Sequence, residues 1–151
     1  MNITFEKLGN KHQKEVMDIF NYYVENSFAA FAEHRLPDIF FEKILEKIQD
    51  YPAYAIKESD SGATAGFCYL SPYHPLLPHY THAGAGKMCL DLLEADAKKR
   101  GIRIILADIS SKNPQSISFH EKFGFTPCAR LEKVGHKFGE DFDVIIMQKN
   151  L

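Results

Sequence analysis

The sequence predicts an α/β fold in a single domain, a mixed sheet with helices on both faces. Three observations predict it. Segments of strand and helix period follow one another in the order β α α β β and then, beyond a glycine turn, α β α β β. That turn, Gly84-Ala85-Gly86, feeds directly into a helical pattern. A near-continuous apolar run from Ile102 to Ile109 reads as a strand buried on both faces, which implies parallel pairing in the middle of the sheet. With 151 residues, one domain over 1–151 is the expectation, and a 45% hydrophobic content that includes 12 Phe can fill a sizeable core. No repeat, low-complexity tract or interdomain linker interrupts it.

Ile3 to Leu8 alternates apolar and polar residues and reads as the first strand. Lys11 to Glu25 is helical, because Val16, Ile19, Phe20, Tyr23 and Val24 recur at three-and-four spacing. Asn26 to Leu36 is apolar without a clear period; a packed connection and a lid over a pocket both fit it. Pro37 and Asp38 open a second helix whose buried stripe is Phe40, Phe41, Ile44, Leu45 and Ile48, and Pro52 ends it. Ala53 to Lys57 and Thr64 to Ser71 form a hairpin around the turn Ser59-Asp60-Ser61-Gly62.

Pro72, Pro75 and Pro78 forbid regular structure in the next stretch. It carries His74, His79 and His82, whose spacing matches no helix-face or finger arrangement, so no metal is expected. Gly84 and Gly86 then open a helix over Met88–Arg100. Leu90, Leu93 and Ala97 share its apolar face, and Gly101 stands at the C-cap. A Gly-x-Gly turn at a helix N-terminus can cradle an anion on backbone N–H groups; a flexible helix start with no ligand has the same sequence. After the apolar strand, Asn113 is a good N-cap with Pro114 at the first helical position, and Gly124 closes that helix after Phe123. Phe125 to Val134 and Asp143 to Lys149 read as closing strands joined by Gly135-His136-Lys137-Phe138-Gly139.

A formal charge of −2 argues against bulk nucleic-acid binding. Cys68, Cys89 and Cys128 are odd in number, widely spaced and without metal spacing, which fits reduced thiols in a cytoplasm. Met1-Asn2-Ile3-Thr4 lacks the basic and apolar regions of a signal peptide, and no apolar stretch reaches membrane-spanning length. The expectation is a cytoplasmic protein that engages neither membrane nor nucleic acid.

The element order, with a Gly-x-Gly cradle opening the third helix, resembles the GNAT superfamily of acetyl-CoA-dependent N-acyltransferases. Three stretches resemble its phosphinothricin acetyltransferase-like branch: Tyr69-Leu70-Ser71-Pro72-Tyr73, the run from Asn113 to Phe125, and Gly135 to Gly139 with Asp143-Val144. The resemblance covers essentially the whole chain, and the run from Asn113 is its most specific part. It implies a GNAT-like mixed sheet and N-acetylation of small amino acids and analogues such as phosphinothricin and methionine sulfone or sulfoximine. The chain departs from the family before the cradle. There the family has a full strand that pairs with the pantetheine arm and carries a glutamate proposed as base. Here only Thr81-His82-Ala83 separates Tyr80 from Gly84, and roughly fifteen residues are absent, judged from the length a strand and turn need. The chain either lacks the strand or has had that segment left out of its sequence. An unpaired edge in the middle of a sheet makes the second the expectation.

The resemblance also implies a site. Gly84, Ala85, Gly86 and Lys87 would bind the pyrophosphate of acetyl-CoA, the co-substrate. Asn113 and Ser116 would contact the same groove, with Asn113 also capping its helix. His120 stands where many family members carry a tyrosine that protonates the departing thiolate, and a histidine titrates in the range that acid or base work needs. The acceptor side would be built from Phe28, Arg35, Tyr73, His74, Lys137 and Phe138: aromatic walls with one or two cations, suited to a small amino acid carboxylate. The last hairpin borders that pocket in a homodimer. A non-catalytic acyl-CoA-binding protein of the same fold is the alternative.

Overall fold

The structure is a computed structural model and describes residues 2–72 and 85–151. β1 is Ile3–Lys7, followed by a short 3-10 turn at Asn10–His12 and by α1, Gln13–Asn26. α2 is Phe40–Ile48; β2 and β3 are Ala53–Glu58 and Thr64–Tyr69. α3 is Ala85–Lys99, β4 is Ile104–Ser110 and α4 is Pro114–Lys122. β5, Thr126–Lys137, and β6, Glu140–Asn150, close the chain.

The α/β class and the element order are as expected, and the helices lie on two faces. α1 and α2 bury Val16, Phe20, Phe41 and Ile44 against Ala53, Ala55, Phe67 and Tyr69. α3 buries Leu90, Leu93 and Ala97 in a second core with Ile56, Cys68, Leu70, Ile105, Ile109 and Met147.

The pairing differs from the expectation. Among the described residues the strands form two antiparallel sheets, β1-β2-β3 and β4-β6-β5, with no parallel pair. β4 lies antiparallel to β6 over its whole length, from Ile104 opposite Asn150 to Ser110 opposite Val144. Its apolar run has another cause than parallel pairing. Ile105, Ala107 and Ile109 enter the α3 core, while Leu106 packs on the other face beside Phe142, Val144 and Ile146. α3 bridges the two sheets. Tyr54 Oη on β2 donates to Asp96 at 2.6 Å, and Lys149 Nζ on β6 reaches Glu94 at 2.5 Å. β3 and β4 are edge strands of their sheets, no described strand joins them, and both line one cavity with α3. Residues 73–84, where the sequence departs from the expected pattern, lie outside the described residues.

Three boundaries are corrected. α2 begins at Phe40 rather than Pro37, because Phe40 N and Phe41 N donate back to Pro37 O and Asp38 O in a turn that precedes the helix. α3 begins at Ala85, so Gly86 and Lys87 lie inside its first turn rather than ahead of it. The last hairpin turns at Phe138-Gly139, both with positive φ (53° and 75°), so Gly135, His136 and Lys137 belong to β5. Gly135 is a glycine for a different reason: a Cβ there would sit 2.1 Å from the Phe142 ring.

The 26–36 connection is packed. Asn21, buried on α1, holds it with both ends of its amide: Nδ2 donates to Leu36 O at 2.9 Å, and Leu36 N donates to Oδ1 at 2.8 Å. Ala30 is fully buried, and Phe28 and Phe31 lie against Phe142.

Candidate active site

Where β3 and β4 part, the first turns of α3 and the last turn of α4 enclose a cavity of about 50 Å³. Tyr69 and Cys68 on β3, Leu106 on β4, Gly86 and Cys89 on α3, and His120 on α4 are among its walls. Gly86 is the second residue of α3. A glycine there lets a ligand approach the unpaired N–H groups and positive dipole end of the helix.

His120 is buried between the rings of Phe119 and Phe125, at centroid distances of 5.3 Å and 5.0 Å. Its Nδ1 lies 2.7 Å from the carbonyl oxygen of Ser116. An oxygen that can only accept fixes the proton on Nδ1 and leaves a lone pair on Nε2 of the neutral ring. Burial lowers the pKa of His120 below its ordinary value, against a smaller rise from the Ser116 bond. Near neutral pH His120 is thus a neutral imidazole that accepts a proton at Nε2.

Asn113 caps α4 and accepts from Ser116 N at 3.2 Å. Ser116 is buried and turns its hydroxyl toward His120 Nδ1 at 3.4 Å. Ser116 and His120 form one unit, but neither Asn113 nor Ser116 lines the cavity that Gly86 and His120 share. Lys87 is exposed and pairs with Asp91 one turn on.

The expected acceptor wall is only partly assembled. Phe28 meets the rings of Phe138 and Phe142 edge-on at 5.3 Å and 5.7 Å. Lys137 is not a free cation of a pocket. It is fully buried, and its ammonium donates to Ser27 O at 2.6 Å and Ala30 O at 2.7 Å. Burial pushes its pKa down to about 8. Arg35 is exposed and paired with Glu25 at 2.9 Å. Tyr73, His74, His79, His82 and Gly84 lie outside the described residues, as does the side chain of Ala85.

Sequence reasoning passed over three groups. Cys68 and Cys89 both line the cavity, and the thiol of Cys68 is pushed up by its hydrogen bond to Cys89 and by burial. Tyr69 has a buried hydroxyl with no partner among the described residues. Asp108, a carboxylate inside an otherwise apolar strand, likewise leaves Oδ1 buried without a partner. A charge within Ile104-Ile105-Leu106-Ala107-Asp108-Ile109 was the signal that could have marked the last of these.

The profile of the acetyltransferase (GNAT) family matches residues 16–125, most of the chain. The chain belongs to the GNAT family. Among curated relatives, this GNAT chain is 36% identical over 88 residues to an L-methionine sulfoximine/L-methionine sulfone acetyltransferase of Salmonella typhimurium, a match covering 57% of this chain. The match spans about half, 51%, of that relative's length. It is 26% identical over 149 residues to a phosphinothricin N-acetyltransferase of Streptomyces viridochromogenes, covering 89% of this chain and 80% of the relative. Among solved structures, the GNAT phosphinothricin acetyltransferase of Sinorhizobium meliloti in complex with acetyl-CoA superposes with a TM-score of 0.87 at 23% identity. That alignment covers 100% of this chain and 89% of the other, and shows a shared fold. No helix among the described residues is long and apolar enough to cross a membrane.

Proposed function

We propose that the chain is an N-acetyltransferase, a single domain over residues 1–151, that moves an acetyl group from acetyl-CoA to the amine of a small amino acid or analogue. Methionine sulfone, methionine sulfoximine and phosphinothricin are the acceptors that the named relatives point to. The observation that carries this reading is the cavity that Gly86 and His120 share between the parted strands β3 and β4. The donor set fits acetyl-CoA: a glycine at a helix N-terminus suits a pyrophosphate, and largely apolar walls suit an acyl arm. Gly84, Ala85, Gly86 and Lys87 hold the pyrophosphate in this reading, and Asn113 and Ser116 order the start of α4 beside it. When bound, acetyl-CoA supplies a thioester whose carbonyl carbon is open to an amine.

This chain's own part is to bind, orient and move protons. The cavity walls exclude water and hold the reactants in line. His120, neutral with its lone pair on Nε2, takes a proton from the attacking nitrogen and returns it to the departing sulfur. Phe28 and Phe138 form the acceptor wall with Tyr73 and His74. Lys137 orders that wall by fixing the Ser27–Ala30 segment, and Arg35 is the cation left to meet a carboxylate from its rim. β5 is exposed along nearly all its length and presents Leu131, Val134 and, at its turn, Phe138 to solvent, which supports a homodimer through this hairpin. The reading places the protein in the cytoplasm, with no membrane or nucleic-acid partner.

The test is a thiol-release assay with acetyl-CoA across amino acids, methionine sulfone and sulfoximine, polyamines, aminoglycosides and peptides. Turnover of an amino acid or analogue above all others is expected. Preference for spermidine or an aminoglycoside would overturn the acceptor class. Acetyl-CoA binding without turnover of any amine would favour a non-catalytic acyl-CoA-binding protein, an alternative that the short stretch between Tyr80 and Gly84 keeps in play.

A further inference from the structure

Asp108 sits on β4, an edge strand among those described. Strand alternation puts Leu106, Asp108 and Ser110 on one face of that sheet. Asp108 is directly opposite Ile146, and the same face carries Phe142 and Val144 of β6 with Phe28 and Phe31 of the α1–α2 connection laid over it. The residue is only 9% exposed, and Oδ1 has no hydrogen-bond partner among the described residues. Burial raises its pKa, and among the described residues no neighbouring cation offsets it.

A buried carboxylate oxygen without a donor is destabilising, by about 1–3 kcal/mol or more for a charged group, so its persistence calls for a donor that the described residues do not supply. No titratable side chain in that apolar cluster provides one. Ser110 Oγ accepts from Lys112 N, and its hydroxyl makes no hydrogen bond to Asp108 Oδ1; the Lys137 ammonium donates to Ser27 O and Ala30 O. Tyr69, on β3, also has a buried hydroxyl with no partner among the described residues. Leu106, two residues from Asp108 on its face, and Tyr69 both line the cavity that holds His120. Asp108 is not itself in the lining of that cavity; it stands on the strand face beside it, next to aromatic rings that also attract cations.

We propose that the carboxylate of Asp108 receives the ammonium group of the acceptor and takes the proton that must leave before the nitrogen can attack. The inference rests on the acetyltransferase reading above. An N–H bond of the ammonium breaks with its electron pair staying on nitrogen, and the proton forms an O–H bond on Asp108. The freed pair forms the C–N bond to the thioester carbonyl carbon as the C–S bond breaks, and sulfur leaves with that pair. The second proton lost from nitrogen goes through His120 to sulfur, and the proton on Asp108 passes to solvent after product leaves. The balance is one amide, one thiol and one released proton, with no oxidant or reductant.

The experiment compares the intact protein with Asp108→Asn in steady-state kinetics over the same acceptor panel between pH 6 and pH 9.5, with acetyl-CoA affinity by calorimetry. At neutral pH kcat/KM for the preferred amine is expected to fall about a hundredfold, the scale of a lost general base. The loss should shrink toward pH 9.5, where the free amine needs no base, and acetyl-CoA affinity should stay within about twofold, since Asp108 is on the acceptor face. Activity within threefold of the parent with a parallel pH profile would overturn the proposal and leave the acetyltransferase reading standing. A parent that acetylates no amine would overturn both. Should Asp108→Asn fail to fold, Asp108→Ser undergoes the same measurements. Failure of both to fold would make Asp108 a structural residue and end the proposal.

Discussion

Lys137 and Asp108 are both charged, both buried, and both part of the β4-β6-β5 sheet, yet their surroundings are opposite. The Lys137 ammonium has two backbone carbonyls and the face of Phe138, 5.0 Å from the ring centroid. Asp108 Oδ1 has no partner among the described residues. A buried charge that is fully bonded has its desolvation cost offset; one left unbonded carries that cost uncompensated. The contrast turns two residues of similar burial into different kinds of claim, one about stability and one about binding.

Lys137→Met breaks the first half of that contrast. It leaves the carbonyls of Ser27 and Ala30 without a donor, and about 3 kcal/mol of stability should be lost, read from denaturant unfolding. An unchanged midpoint would mean that those carbonyls find water and that Lys137 does not fasten the connection. Asp108→Asn tests the other half with the opposite sign: the folded protein should become more stable at pH 7 by about 1 kcal/mol. The pKa of Asp108 in the fold is raised from 3.8, so the folded state holds more protons than the unfolded chain between those values. The destabilisation is present at neutral pH, fades as pH falls through the raised value, and is gone below about 3.8. A variant less stable than the parent at pH 7 would show that the carboxylate has a partner after all.

His120→Phe is the smallest expected effect on stability and is read in rate. kcat should fall by about tenfold or more, with the KM for acetyl-CoA nearly unchanged. Because burial lowers the pKa of His120 below 6.5, the parent's activity should persist as pH falls to that value and decline only beneath it. The variant should lose that acid limb. Superimposable profiles would leave His120 as packing between Phe119 and Phe125.

Much of the fold was legible in local signals. Asn113 before Pro114, Gly62 in its turn and the apolar stripe of α2 act over a few residues, and each sits where the pattern placed it, even where a boundary moved. Pairing direction was not legible. An apolar run reports burial on both faces, and β4 achieves that in an antiparallel pair because α3 covers one face and Phe28 and Phe31 reach the other. Gly135 reads like a turn residue in sequence, and only the Phe142 ring across the hairpin explains it. Gly86 and His120, which the structure brings to one cavity, stood out in the sequence because glycines at helix starts and histidines carry their chemistry openly. The role of Lys137 was hidden, since Ser27 and Ala30 lie 110 and 107 residues away in the chain. Asp108 was visible as a charge in an apolar strand, but its importance depends on missing partners, which no spacing reveals.

The central claim is that acetyl-CoA binds at the α3 N-terminus, where Gly86 faces the cavity. The direct measurement is calorimetric titration of acetyl-CoA into the parent protein and into Gly86→Val, with folding of the variant checked by circular dichroism. A Val side chain fills the space a ligand needs while remaining acceptable in a helix at a cost below about 1 kcal/mol. The account predicts saturable binding to the parent and at least about tenfold weaker binding to the variant, a difference of about 1.4 kcal/mol. Equal affinity in a folded Gly86→Val protein, or no binding to the parent, would contradict it.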